Sequence, residues 1–219
     1  MSMPFVYGVR LMHETFSPDV LFAGPMEPLA RAPRPPPLEE PVYARHGFPR
    51  VEWETQLDGL RGFIVARGAD SGGGDGHEGV TPTPASQEGG GEARRAAAAV
   101  SLKALDNVIG IYAAIYGRRG PEGKITLDGP SENQFVFGWL YRLEQEFAAC
   151  VRSCEPCAVL VLAHYALLLN GEAIPRGWYV EGWREHTVVR VGELLGDGEG
   201  CEWMRWPMEQ LAAKERGLR

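Results

Sequence analysis

One stretch of the sequence constrains the fold more than any other: the thirteen residues from Cys157 to Leu169 are apolar except for His164 and Tyr165. A helix without a polar side must be surrounded by protein. Because a helix needs about 20 apolar residues to cross a bilayer, this stretch is too short to span one. The sequence therefore predicts a central core helix that begins near Pro156, a residue suited to a first helical turn.

Elsewhere apolar residues recur at intervals of three and four, which is typical of amphipathic helices. These intervals predict helices over about 5–16, 51–66, 94–116 and 178–195 and another from about Met208. A capping-box pattern from Ser131 to Gln134 precedes a single apolar stripe made of Val136, Leu140, Leu143, Phe147 and Val151. On the 178–195 helix the residues expected to face inward are Val180, Trp183, Thr187, Val191 and Leu194. No convincing alternating strand occurs, so we predict an all-α fold, an irregular helical bundle.

Two segments lack the apolar residues that a packed core requires. Eight prolines lie between Pro25 and Pro49, and proline both fixes φ and removes an amide donor, so residues 25–50 are expected to be extended and flexible. Residues 68–92 contain nine glycines and almost no large apolar side chain, which predicts a long disordered Gly-rich insertion. The rest fits one helical domain that spans residues 1–219.

Charge and cysteine usage restrict the partners and the compartment. The 29 acidic residues outnumber the 22 basic ones, and the basic residues form no stripe, so we expect no direct binding of nucleic acid by this chain alone. Four cysteines are too few and too clustered for a secreted disulfide scaffold. The first residues do not resemble a signal peptide, and no membrane span is expected. A soluble, intracellular protein of the nucleus or cytoplasm fits these features.

Motifs that carry chemistry are sparse. The spacing of Cys150, Cys154 and Cys157 allows an iron–sulfur cluster or a zinc ion, but buried cysteines mostly act as small apolar residues. The glycines of 74–79 match a dinucleotide fingerprint by letters alone, without the strand and helix that give that motif its function. No hydrolase elbow, zinc-protease motif or phosphate-binding loop occurs. The sequence therefore predicts no enzyme, no cofactor, no catalytic residue and no metal ligand.

His164 and Tyr165 admit two interpretations. As the polar groups of a buried helix, each must find a partner or incur a penalty of about 1 to 3 kcal/mol. The ordinary interpretation is a satisfied core residue that fixes helix packing. The sharper one is that His164 or Tyr165 meets the polar group of a ligand inside an apolar cavity. Most of the six tryptophans are expected to fill the core, although some could line such a cavity.

Three segments near the C-terminus carry a family resemblance. They are Pro156-x-Ala158 followed by Ala163-His164-Tyr165, then Trp178-Tyr179-x-x-Gly182-Trp183, then Trp203-Met204-Arg205-Trp206-Pro207. In this order they resemble the C-terminal regulatory domain of fungal zinc-cluster transcription factors, and most closely the sterol uptake control branch. Weaker similarities lie at Phe5–Arg10, Gly24–Leu29, Leu102–Tyr116 and Val136–Trp139. Two departures are Leu140 after Trp139, where the family has proline, and Cys157, where phenylalanine is common.

The resemblance implies a regulatory, ligand-sensing domain that takes part in transcription by RNA polymerase II. It further implies an apolar pocket for a sterol or another lipid, for which we predict the lining residues Trp139, Phe147, His164, Tyr165, Leu168 and Trp183. The six-cysteine zinc cluster that binds DNA in this family does not occur in the sequence. The alternative is a helical interaction module, for example a homodimer, that takes no small molecule.

Overall fold

The computed structural model describes residues 50–69, 88–120, 122–126, 134–141, 143–169 and 182–217. Seven α-helices and two short 3₁₀ helices bring the helical share of these residues to 81%. The predicted all-α class is therefore confirmed. The predictions for the helix at 5–16, for nearly all of the proline-rich segment at 25–50 and for the Gly-rich segment at 70–87 lie outside the described residues.

The first two helices form an antiparallel pair. Helix α1 (Glu54–Ala69) buries Leu57, Leu60 and Ile64 against helix α2 (Glu88–Tyr116). At one end, Trp53 Nε1 donates to the carbonyl of Gly117 over 3.1 Å. At the other end, a Cβ placed on Gly68 would lie 3.2 Å from Ala98, so the two helices approach closely there. Both predicted helices are confirmed, with α1 displaced by three residues.

The boundaries of the predicted Gly-rich insertion are wrong at both ends. Gly68 and Ala69 complete helix α1, and residues 88–92 form the first turn of helix α2 although three of them are glycines. The physical reason is that extending an existing helix by one residue costs far less than nucleating a new one. Composition alone therefore ends helix α1 too early and begins helix α2 too late.

Helix α2 ends where the sequence predicts. Gly117 adopts a φ of 68°, a left-handed conformation that terminates helices and that glycine accepts without strain. Beyond it, β1 (Arg118–Arg119) pairs antiparallel with β2 (Ile125–Thr126) over two residues each. The guanidinium of Arg118 lies 5.1 Å from the ring centre of Trp53, so this short hairpin closes over the end of the α1–α2 pair.

The predicted single stripe from Val136 to Val151 is divided between two helices. Helix α3 (Gln134–Tyr141) ends before helix α4 (Gln145–Arg152) begins, and Glu144, the residue before helix α4, is extended. Both helices pack on helix α2, and the rings of Trp139 on α3 and Phe147 on α4 meet at 5.7 Å. Spacing alone cannot reveal such a break, because the apolar residues keep their interval through it. The proposed cap residue Ser131 lies outside the described residues.

The central helix begins after a tight turn. The amide of Glu155 donates to the carbonyl of Cys150, and that of Cys154 donates to the carbonyl of Val151, which is the Schellman pattern of helix C-termini. Cys154 occupies the left-handed position of this turn with a φ of 58°. The Glu155 carboxylate then caps the next helix by accepting from the amide of Ala158 over 3.0 Å. Helices α4 and α5 consequently meet at 103°.

Helix α5 (Pro156–Ala166) continues as a 3₁₀ turn (Leu167–Leu169) and lies at the centre of the core. Of residues 157–169, all are buried except Leu162, which is half-buried. Helices α2 and α4 pack against α5 on different sides, together with helix α6 (Trp183–Leu195). The prediction that protein surrounds this helix is confirmed.

The C-terminal part folds back over the core. Helix α6 begins after Gly182, whose φ is 76°, and the predicted residues 178–181 lie outside the described residues. Its buried side chains are Arg184, Val188 and Val191, whereas Leu194 is 48% exposed, so the prediction that Leu194 faces inward is wrong. A 3₁₀ turn (Cys201–Met204) leads into helix α7 (Arg205–Gly217), which starts three residues before the predicted position.

Among the described helices, one meets the length and hydropathy expected of a membrane span. This segment is residues 90–116 of helix α2, and 56% of its most apolar 18-residue part is buried inside the protein. A core helix meets the same criteria, so this observation favours neither location. The absence of a membrane span stays a prediction.

Candidate functional site

The two polar residues of helix α5 point in different directions. Consecutive residues of an α-helix are about 100° apart around its axis, and His164 and Tyr165 have different neighbours. Each side chain is 1% exposed. Of the predicted ligand-binding set, three residues belong to an aromatic cluster around Tyr165, and His164 belongs to a second one.

The first cluster contains three of the six predicted site residues. The rings of Trp139 and Tyr165 stack at 4.1 Å, and Phe147 meets Trp139 edge to face. The hydroxyl of Tyr165 donates to the carbonyl of Val136 over 2.6 Å, and burial raises the pKa of this phenol. Trp139 thus contacts both Phe147 and Tyr165, and these contacts join helices α3, α4 and α5. The polar atom of this cluster is paired within the protein.

The second cluster surrounds His164. Its Nδ1 lies 2.8 Å from the carbonyl of Leu160, and because a carbonyl only accepts, Nδ1 carries the proton. The imidazole stacks on Trp206 of helix α7 at 5.6 Å. The backbone carbonyl of His164 accepts a hydrogen bond from the hydroxyl of Tyr112 over 2.8 Å. Burial lowers the pKa of His164 from 6.5 to about 4, and the Leu160 hydrogen bond opposes this only in part. The side chain is therefore neutral at pH 7.

The remaining two predicted residues occupy other places. Leu168 is 1% exposed in the 3₁₀ extension of helix α5, and Trp183 is half-buried at the start of helix α6. Among the described residues, no ring pair joins Trp183 to the Trp139 cluster. Of the six residues, the ring contacts of the described part join only Trp139 to Phe147 and Trp139 to Tyr165. A ligand-binding role for the set stays a prediction.

Sequence reasoning missed the partners of His164. Tyr112 contacts Trp53, Tyr116 and Trp206 at ring separations of 5.8 to 6.2 Å, so it links helix α2 to the residue before helix α1 and to helix α7. The signal was available for Tyr112, because it belongs to the regular apolar stripe of helix α2. For Trp206 the signal was its place in the C-terminal motif, which gives no information about the neighbour it packs against.

One buried and one half-buried arginine were also missed. Arg184 is 5% exposed and donates from Nη2 to the carbonyl of Gln210 over 2.8 Å, which joins helix α6 to helix α7. Arg67 at the end of helix α1 lies 3.7 Å from the carboxylate of Glu155 and pairs with Glu199. Both guanidiniums therefore connect segments that are distant in the sequence. Neither pattern nor periodicity marks an arginine as buried.

The cysteines occupy different environments. Cys157 is fully buried, and burial together with the neighbouring Glu155 carboxylate raises the pKa of its thiol to about 12. Cys154 is exposed, and Cys150 is half-buried. Within the described part of the chain, no group of three histidine, cysteine or carboxylate side chains is arranged to hold a metal ion. At neutral pH the Cys157 thiol is protonated and thus a poor nucleophile.

The described parts of the segments that carry the family resemblance belong to elements that pack together. His164 of the first segment stacks on Trp206 of the third, and helix α6, which begins with Trp183 of the second segment, packs along helix α5. Comparison with protein-family models, with curated proteins and with solved structures finds no match to this chain.

Proposed function

We propose that this chain is a helical regulatory domain of the fungal zinc-cluster transcription factor type, similar to the sterol uptake control branch. It acts in the nucleus or cytoplasm on transcription by RNA polymerase II. The observation that supports this proposal is the contact between His164 and Trp206, which belong to two separate segments of the resemblance.

The proposed regulation depends on helix α5. Helices α2, α4 and α6 all pack on it, so a ligand that displaces one of these helices alters the surroundings of the others. An apolar molecule such as a sterol suits this core, because its binding energy comes from apolar surface removed from water. The two aromatic clusters beside Tyr165 and His164 are the proposed sensing elements.

A reporter assay tests the regulatory function. The full chain is fused to an unrelated DNA-binding domain in yeast, and reporter output is measured in sterol-replete and sterol-depleted cells. We expect output to change severalfold between the two conditions and Trp206→Ala to abolish the change, because Trp206 holds helix α7 on His164. Met208→Ala is the matched control, since Met208 lies on the same helix and is 43% exposed. A fusion that is stably expressed but inert in both conditions contradicts the proposal.

A second function has an observation of its own. The Tyr165 hydroxyl and His164 Nδ1, which a ligand was expected to contact, are both bonded to backbone carbonyls of the protein. This favours an interaction module, for example a homodimer, that binds no small molecule. Extraction of the purified protein followed by mass spectrometry distinguishes the two functions. Stoichiometric lipid supports the sensing domain, whereas lipid-free protein that forms a defined dimer by light scattering supports the module.

A further inference from the structure

We draw no further inference here: the strongest candidate, the side-chain cluster of Arg67, Glu155, Glu199 and the Cys157 thiol where the end of helix α1 meets the start of helix α5, carries nothing because its charged groups pair with one another and burial keeps the thiol protonated.

Discussion

Neutral His164 in the core makes the stability of the protein depend on pH. In the unfolded chain the imidazole has a pKa of 6.5, whereas burial lowers it to about 4 in the folded protein. Above pH 6.5 both states are neutral and stability is at its full value. As pH falls from 6.5 to 4, the imidazole binds a proton in the unfolded chain but stays neutral in the folded protein. The free energy of unfolding therefore decreases. The difference between the two pKa values corresponds to about 3 kcal/mol.

Urea unfolding at several pH values between 7.5 and 3.5 measures this effect. Carboxylates also titrate below pH 5, so the quantity to compare is the difference in unfolding free energy between the wild type and His164→Leu at each pH. We expect this difference to shift by about 3 kcal/mol in favour of the variant as pH falls from 6.5 to 4. His186→Gln is the matched control, because His186 is exposed, and it should follow the wild type. A constant difference between the wild type and His164→Leu refutes the reasoning.

Two further substitutions test the core and the turn before helix α5. Leu160→Ala should lower the unfolding free energy by about 2 to 5 kcal/mol in urea, because Leu160 is fully buried, while the half-buried Leu162→Ala should cost clearly less. A urea midpoint of Leu160→Ala close to that of the wild type would place helix α5 at the periphery. Cys154→Gly should raise the melting temperature, because a left-handed conformation costs a residue with a Cβ about 1 kcal/mol and glycine avoids this cost. Cys154→Ala keeps the Cβ and should not raise the melting temperature. A higher melting temperature with alanine as well would assign the effect to the loss of the thiol.

The sequence predicts the helices of the core well where one periodic pattern corresponds to one uninterrupted helix. Helices α1, α2 and α5 satisfy that condition, and Pro156 and Gly117 mark two of their ends correctly. The stripe from Val136 to Val151 fails it, because one helix ends at Tyr141 and the next begins at Gln145 while the interval between apolar residues stays the same. Periodicity indicates which residues are buried, not whether one helix or two carry them.

The candidate site was less predictable than the fold. The sequence identifies His164 and Tyr165 as buried polar groups, but it cannot tell which carbonyl each will bond to, because Leu160 and Val136 supply backbone atoms that any residue has.

Helix α5 has a consequence for how sequences related to this one can diverge. A helix on the protein surface tolerates drift along its solvent-facing side, but from 157 to 169 only Leu162 is even half-exposed. Substitutions here are restricted to apolar exchanges of similar volume, since packed cores tolerate little else. The interior of the protein thus keeps its residue types longer than the surface does. Sequence similarity between distant relatives is therefore expected to remain detectable in this short helix after the surrounding helices have lost it.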